Sequence, residues 1–591
     1  MLDLVWPPLA AFLLAVLLTL LVRPVALMAG VVAVPKADRW HRGRVPLLGG
    51  VAIAGAVLGV AVLLPPLPAQ AWTLLGGAAV LSLAGLVDDV TPLAPQAKFL
   101  VQLVITSVLV TSGLQLTVTG YSAVDQLITL VWLVGVSNAF NLLDNMDGLA
   151  AGIGCIAAAF RCYFFLLDGN PEGAWLAGAL AGALAGFLVF NFQPASVFMG
   201  DTGSLFIGLM VSGLNVMGPF PYSRGTVAVL LLPVLILLVP LFDTAFVTVA
   251  RTLAGRSVAQ GGRDHTSHRL VALGMSERGA VLTLWVMAVA SGGVAVLSYR
   301  FGLPYTATLV GLLVVAFVVL AAKLGLERVY PERTAATGMV RILVDFQFKK
   351  QVATVALDAA LVALAYYSAY VLRFETGLEY ELPLFAASWL IVLPCHVLVL
   401  GLFRTYQESW HHAGLPDLLR LAAAATVGVA LSVLVVLALY RFAGYSRAVF
   451  VIHWLLVTTF LTASRVLFRA MGELLRGRTA AGPRTVIYGA GAGGVMVLRE
   501  ARTNRTLDWT VVGFIDDDRA KQRTSVQGVP VLGTLEQVAP LLASGQVAQV
   551  VVSTESIRAA QLDALRRVCA DAGVRTLHAS LEFRNRPAAE G

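Results

Sequence analysis

The chain has 591 residues, 58% of them apolar and 13% charged, with a formal net charge of +8 at pH 7. Soluble domains carry about 25% charged residues, so this composition excludes a wholly soluble protein. A basic balance can mark a nucleic-acid binder, but here the bases lie in loops between apolar runs. That is the pattern that orients membrane spans, so no nucleic-acid partner is expected.

Apolar runs of about 20 residues, each enough to cross ~30 Å of hydrocarbon, recur along the chain. About eleven precede residue 325 and about four more lie between 352 and 470, by that length criterion. The first run leads into further spans rather than a small-residue cleavage site, so it reads as a retained helix. After it comes KADRWHRGR (36–44), strongly basic, and after the second span the uncharged PPLPAQ. The third span ends at LVDDVTPLAPQAK, the fifth at NAFNLLDNMDG, the seventh at NFQPASVFMGDTGS and the ninth at RTLAGRSVAQGGRDHTSHRL. The loops between them are short and bland. The alternation places every charged loop on one side, and the arginine excess makes that side cytoplasmic, with the N-terminus outside. Spans at 352–372, 383–403, 417–438 and 447–467 keep the parity and return the polar tail to the cytoplasm.

A carboxylate near the bilayer centre costs at least ~2.5–3.5 kcal/mol, so the acids at these span ends need an explanation. Asp88 and Asp89 are neighbours on a helix and diverge in direction, so one can bind metal while the other does something else. Asn141, Asp144 and Asp147 follow at intervals of three, which predicts one helix face. Asp201 sits in a Gly-Asp-Thr-Gly turn, where glycine lets the backbone approach a ligand. Many carboxylates with only four scattered cysteines point to a hard cation, Mg²⁺ or Mn²⁺, rather than zinc. Lys98, Arg263, His265, His268 and Arg269 are then available for phosphate charge. Each feature also has a bland reading: a solvated helix end for the aspartates, inside anchors for the bases, loop residues for the histidines. Asp243 in PLFDT reads as a packed, hydrogen-bonded polar residue. Five clusters on one face favour a phosphoryl-transfer site over the bland readings taken singly. Two other classes remain, a lipid-linked sugar flippase and a non-catalytic scaffold. A flippase predicts acids spread through span centres and a broken-helix repeat; the sequence places the acids at span ends.

The motifs LVDDV with Lys98, NAFNLLDNMDGLA, NFQPASVFMGDTGSL and RDHTSHRL, in that order, resemble the polyprenyl-phosphate N-acetylhexosamine-1-phosphate transferase family over residues 1–330. The resemblance implies transfer of a sugar-1-phosphate from a UDP-sugar donor to undecaprenyl phosphate, with UMP released and Mg²⁺ required. It implies a multi-pass protein of the bacterial inner membrane with its active site on the cytoplasmic face. Asp88 matches the acid given either as nucleophile or as base for the lipid phosphate, and Asp89 its partner. Asp201 matches the magnesium ligand, with Asp88 and Asp89 beside it. Asn141, Asp144, Asp147 and Asn191 match positions lining the nucleotide and diphosphate pocket, and Lys98 a phosphate-binding lysine. Arg263, His265 and His268 fall in the histidine motif associated with substrate recognition. DHTSHRL replaces the triple histidine of the branch that uses UDP-MurNAc-pentapeptide, which favours a UDP-GlcNAc-type donor. Asn145 stands where many members have glycine.

From about residue 345 a four-span unit (domain 331–480) leads to a soluble α/β Rossmann-like domain (481–591). Together with TVIYGAGAGGVMVLRE, this half resembles the N-terminal region of membrane-bound UDP-sugar dehydratases and polyprenyl glycosylphosphotransferases. RTVIYGAG runs into Gly489, Gly491 and Gly494 before a helix, and WTVVGFIDDD ends a second strand in acids. That order gives the glycine motif weight: tight turn, phosphate at a helix N-terminus, and Asp516 on a ribose hydroxyl. No general acid or base follows, so a bound nucleotide or nucleotide-sugar, or packing against glycan-assembly partners or a second copy, is expected rather than a redox step. The whole reads as an α-helical polytopic membrane protein of about 11 + 4 transmembrane helices with a Rossmann-like tail.

Overall fold

The computed structural model describes residues 2–33, 45–217, 226–253, 256, 262, 264–325, 346–374, 378–406, 414–475, 482–504, 507, 509–522, 524–553 and 559–579. Arg263 lies outside them. Residues 1–476 and 477–591 form separate units.

The first unit is helical. Its helices are α1 (Leu2–Met28), α2 (Gly49–Leu63), α3 (Ala69–Val90), α4 (Pro95–Thr111), α5 (Ser122–Leu143), α6 (Leu149–Leu167), α7 (Pro171–Asn191) and α8 (Gly200–Val216). They continue with α9 (Thr226–Ile236), α10 (Leu238–Leu253), the short α11 (Thr266–Ala272), α12 (Glu277–Phe301) and α13 (Leu303–Gly325). Four more follow: α14 (Phe346–Arg373), α15 (Leu378–Leu402), α16 (Leu415–Tyr440) and α17 (Arg447–Leu475). Among the described residues, eleven helices are long and apolar enough to cross a membrane, seven of them up to α13 and four beyond it. The pair α9 and α10, bent by 83° at its break, is a broken span or a re-entrant loop, and α2 and α4 are shorter apolar helices. The chain is thus a multi-pass membrane protein.

Two apolar cores separate the bundles. One, built on residues such as Phe140, Phe187, Phe206 and Leu74, fills α1 to α13; the other, around Tyr366, Val392, Val436 and Leu461, fills α14 to α17. Alanine and glycine stripes let helices close up: α7 presents Gly182 and Gly186 to the backbone of α1 at Pro8 and Phe12. Small residues of this kind are what lipid-embedded helices use to pack.

Two acids depart from the expectation that acids keep to span ends. Asp243 lies in α10 and Asp358 in α14, both buried. Each is matched rather than bare: Asp358 forms a two-pronged ion pair with Arg465 of α17, and Asp243 takes two donors described below. A buried charge is tolerated only with such partners.

The second unit is an α/β domain. Strands β3 (Arg484–Tyr488), β4 (Thr510–Ile515), β6 (Val529–Gly533), β7 (Gln549–Val552) and β8 (Arg575–His578) lie parallel in the order β6-β4-β3-β7-β8, and β5 (Ser525–Val526) adds an antiparallel edge. (β1, Val32–Ala33, and β2, Val45–Pro46, pair in the first unit.) Helices α18 (Ala492–Thr503), α19 (Leu535–Ala543) and α20 (Ala559–Asp571) alternate with the strands. Chain reversal on either side of β3 is the doubly wound arrangement whose switch point sits beside the first strand.

Candidate functional site

The N-terminus of α8 is where the acids converge, and small residues bring it there. Gly49 N and Gly50 N of α2 donate to the carbonyls of Phe198 and Met199, both at 2.9 Å, anchoring the chain just before α8. A Cβ on Gly50 would overlap the Gly203 amide, and one on Gly85 of α3 would stand 2.5 Å from the Asp201 carbonyl oxygen. Gly200 has φ +68°, and a Cβ there would run into the Asp89 carboxylate. The Gly-Asp-Thr-Gly stretch is therefore the first turn of a helix, and Gly203 admits a neighbouring helix rather than a ligand. That corrects the sequence expectation of a ligand-facing turn.

Asp88 and Asp89, adjacent at the end of α3, have different partners. Asp89 Oδ1 accepts from Asp201 N at 2.9 Å, and Oδ2 accepts from Thr202 N at 3.1 Å and Thr202 Oγ1 at 2.6 Å. It thus caps α8 from outside, satisfying amides that no residue of α8 can reach. Asp88 Oδ1 accepts from Leu93 N at 2.6 Å, and Oδ2 from Lys98 Nζ at 2.9 Å. Lys98 Nζ also donates to Asp201 Oδ2 at 2.7 Å. One ammonium therefore joins two carboxylates from helices more than a hundred positions apart in sequence, all three groups partly exposed. Asn141 Nδ2 of α5 donates to Ser204 Oγ of α8 at 2.9 Å.

The expectation of one helix face for Asn141, Asp144 and Asp147 is corrected. α5 ends at Leu143, so Asp144 is its C-cap and Asp147 lies in the turn before α6. Gly148, at φ +75°, is the left-handed residue from which α6 starts. Asp147 Oδ2 accepts from Ala195 N at 2.9 Å. Asn191 is buried and bridges the same two segments, accepting from Gly148 N at 3.1 Å and donating to the Val197 carbonyl at 3.0 Å. Asp147 and Asn191 thus tie the α5–α6 turn to the α7–α8 loop.

The histidine segment docks on that turn. Ser267 Oγ donates to Asn145 Oδ1 at 2.6 Å. Asp264 receives Arg251 in a two-pronged pair at 2.7 and 2.6 Å, and Arg269 Nε donates to the Asp264 carbonyl at 2.9 Å. Burial pushes the Asp264 carboxyl up, but the Arg251 guanidinium outweighs it and holds the group below its ordinary value. His265 and His268 are buried with ring centroids 6.2 Å apart. Sequence reasoning missed Ser267, Asp264 and Ser204 as contributors. RDHTSHRL carried the signal for the first two, since it packs polar residues between its histidines.

Residues 71–218 match the model described as glycosyl transferase family 4. Over 293 residues the chain is 33% identical to the probable undecaprenyl-phosphate N-acetylglucosaminyl 1-phosphate transferase of Bacillus subtilis, covering 47% of this chain and 81% of that protein. It is 36% identical over 339 residues to the decaprenyl-phosphate N-acetylglucosaminephosphotransferase of Mycolicibacterium smegmatis, covering 50% of this chain and 82% of that protein. The chain belongs to glycosyl transferase family 4. It is a multi-pass membrane transferase of that family, and the matched segment contains Asp88, Asp89, Lys98, Asn141, Asp144, Asp147, Asn191 and Asp201.

Family 4 does not account for the rest of the chain. Residues 402–579 match a second model, described as a CoA-binding domain. The chain is also 28% identical over 223 residues to the probable polysaccharide biosynthesis protein EpsC of Bacillus subtilis, covering 37% of this chain and 36% of that protein. In this tail Gly489 has φ +102°, Gly491 caps α18, and a Cβ on Gly494 would collide with the Gly489 carbonyl. The loop is therefore tight enough to need its glycines. Asp516, just past β4, accepts from Ala490 N at 2.7 Å and Lys521 Nζ at 3.1 Å through Oδ2, and from Asp518 N at 2.9 Å through Oδ1. Its carboxylate fastens the glycine loop to the end of the next strand.

Proposed function

We propose that the first bundle transfers N-acetylglucosamine 1-phosphate from a UDP-sugar to polyprenyl phosphate and releases UMP. The observation that carries this reading is the Asp88–Lys98–Asp201 group: two carboxylates and an ammonium, partly exposed, at the meeting of α3, α4 and α8. The names of the relatives, which carry N-acetylglucosamine and a polyprenyl phosphate, support this choice of sugar and acceptor. By the arginine-rich loops, this end of the bundle faces the cytoplasm.

An oxygen of the lipid phosphate attacks the sugar-linked phosphorus, the bond from that phosphorus to the UMP oxygen breaks, and UMP leaves. Asp88 takes the proton of the lipid phosphate in this route; in the rival route it is itself the nucleophile and a phosphoryl-enzyme forms. Lys98 stabilises phosphate charge, and Asn141, Asp144 and the α5–α6 turn position the donor. Such chemistry rests on placement and on charge aimed at the reacting phosphates. Asp89 holds the start of α8 so that Asp201 stays opposite Asp88.

The donor set suits Mg²⁺. Among the described residues no group of three or more His, Cys, Asp or Glu forms a closed cage, but Mg²⁺ is usually held by one or two carboxylates together with substrate phosphates. Asp88 and Asp201, already sharing one cation in Lys98, are the two that would hold it. When bound, the ion neutralises charge on the diphosphate.

The deciding experiment gives purified protein UDP-GlcNAc, undecaprenyl phosphate and Mg²⁺ and measures UMP. Release that Asp88→Asn and Asp201→Asn abolish, and that a chelator stops, is expected. A flippase or a scaffold would release none.

For the tail we propose a nucleotide or nucleotide-sugar site at the glycine loop, supported by the tight turn before α18 at the switch point of the sheet. Titration of the protein with UDP-sugar and with coenzyme A, monitored by calorimetry, tests it; heats unchanged by Gly491→Asp would remove this site.

A further inference from the structure

Asp243 sits in α10, in the run LVPLFDTAFVTVARTL, and is buried there. An acid in such a setting is expensive unless donors meet it. Two do. His265 Nδ1 lies 2.8 Å from Oδ2, and Thr266 N lies 2.7 Å from Oδ1. Thr266 opens α11, so its amide is one that the helix itself leaves without an acceptor, and the helix receives no cap from the His265 side chain. One carboxylate therefore fixes both the backbone entry of the histidine segment and the ring of its first histidine. With the carboxylate accepting, Nδ1 carries the hydrogen, and Nε2 is the ring nitrogen left for another partner.

Among the described residues, the charged groups next to this ring in sequence have partners of their own. Asp264 is taken by Arg251, Arg269 binds the Asp264 carbonyl, and His268 stands 6.2 Å away ring to ring. Asp243 is thus the carboxylate bonded to His265.

We propose that Asp243 is a positioning residue for the transfer reaction, holding the His265 ring through Nδ1 in the orientation in which it meets the donor diphosphate. The proposal rests on the transferase reading above. A capping role alone would make Asp243 structural; the ring-holding role makes it act through His265, and the two separate by measurement.

The test uses full-length protein in lipid nanodiscs, with UMP release followed against UDP-GlcNAc at saturating undecaprenyl phosphate. Asp243→Asn keeps an oxygen for Thr266 N but turns an amide donor toward the ring, and it should raise KM for UDP-GlcNAc by about 10-fold. Asp243→Glu should restore most of the loss. His265→Gln should raise KM to a similar degree, and Asp243→Asn combined with His265→Gln should be no worse than His265→Gln alone, because the two act as one unit. Wild-type KM in Asp243→Asn, or losses that multiply in the double variant, would overturn the proposal. Should Asp243→Asn fail to fold, Asp243→Glu with and without His265→Gln reads the same cycle. There a Glu variant of near-normal KM, whose advantage disappears without His265, supports the coupling, and independent effects refute it. Wild-type protein that releases no UMP would instead refute the transferase reading, and the proposal with it.

Discussion

The Asp89 carboxylate grips Thr202 twice, accepting from its amide at 3.1 Å and its hydroxyl at 2.6 Å. Its neighbour Asp88 meets Lys98 instead. Two acids side by side in sequence therefore have separable duties. Asp89→Ala strips a helix cap, which costs about 0.5–2 kcal/mol, and lets Asp201 drift. Thermal unfolding should show a lowered midpoint together with reduced UMP release. Asp88→Asn should leave the midpoint near wild type while abolishing release. Equal midpoints for both variants would contradict this division.

Glycine at position 85 is a second point of leverage. With the Asp201 carbonyl oxygen 2.5 Å from where a Cβ would sit, Gly85→Ala forces α3 and α8 apart. Overpacking of this kind typically costs about 1–3 kcal/mol, and here it also widens the Asp88–Asp201 gap that Lys98 spans. Gly76, with open space around its Cβ position on the same helix, serves as the control. Activity should fall in Gly85→Ala and persist in Gly76→Ala.

Asn145 and Ser267 join the α5–α6 turn to the histidine segment through one hydrogen bond of 2.6 Å. A single such bond contributes about 0.5–1.5 kcal/mol net. Ser267→Ala and Asn145→Gly should therefore each raise the donor KM several-fold with kcat little changed, and the double variant should match the singles. Steady-state kinetics against UDP-GlcNAc would check it, and a kcat collapse would place these residues in the chemistry instead.

Acid should loosen the same segment. Burial alone would raise the Asp264 carboxyl, but pairing with Arg251 keeps it below its ordinary value. A depressed carboxylate contributes stability above its unfolded value, near ~4, and that contribution is lost as pH falls through the lower folded value. Hydrogen exchange of the amides in 264–272 should accelerate on descent below that range. Arg251→Leu should reproduce the loosening at neutral pH, since removing one partner of a buried pair costs about 3–5 kcal/mol. Exchange insensitive to both changes would rule out this pair as the clasp.

Much of the fold could be read from hydropathy, because a spanning helix must be apolar over a fixed length whatever it packs against. The four spans after residue 345 fall where expected, within a few residues. What escaped were features set by neighbours. A period of three placed Asp147 on a helix that ends at Leu143, since periodicity is blind to where the chain leaves a helix. The Gly-Asp-Thr-Gly stretch looked like a ligand turn because sequence does not reveal that Gly50 comes from another helix to fill its space. Asp243 was legible as a bonded polar residue, but not the identity of its partner, which arrives 22 positions later. The motif aspartates were visible as a set, while the split between Asp88 and Asp89 depends on which way each side chain leaves the helix.

Arg269 Nη1 donates to the carbonyl of Leu324, at 2.9 Å, near the end of α13. That helix is also the shoulder on which the appended bundle rests: Thr308 bonds Ser368 of α14 at 2.8 Å, and Gly311 leaves room for Leu364. The histidine segment is thus moored to the same helix that packs against α14. A tilt imposed on α14 would therefore reach the histidine segment through α13, away from the substrate pocket.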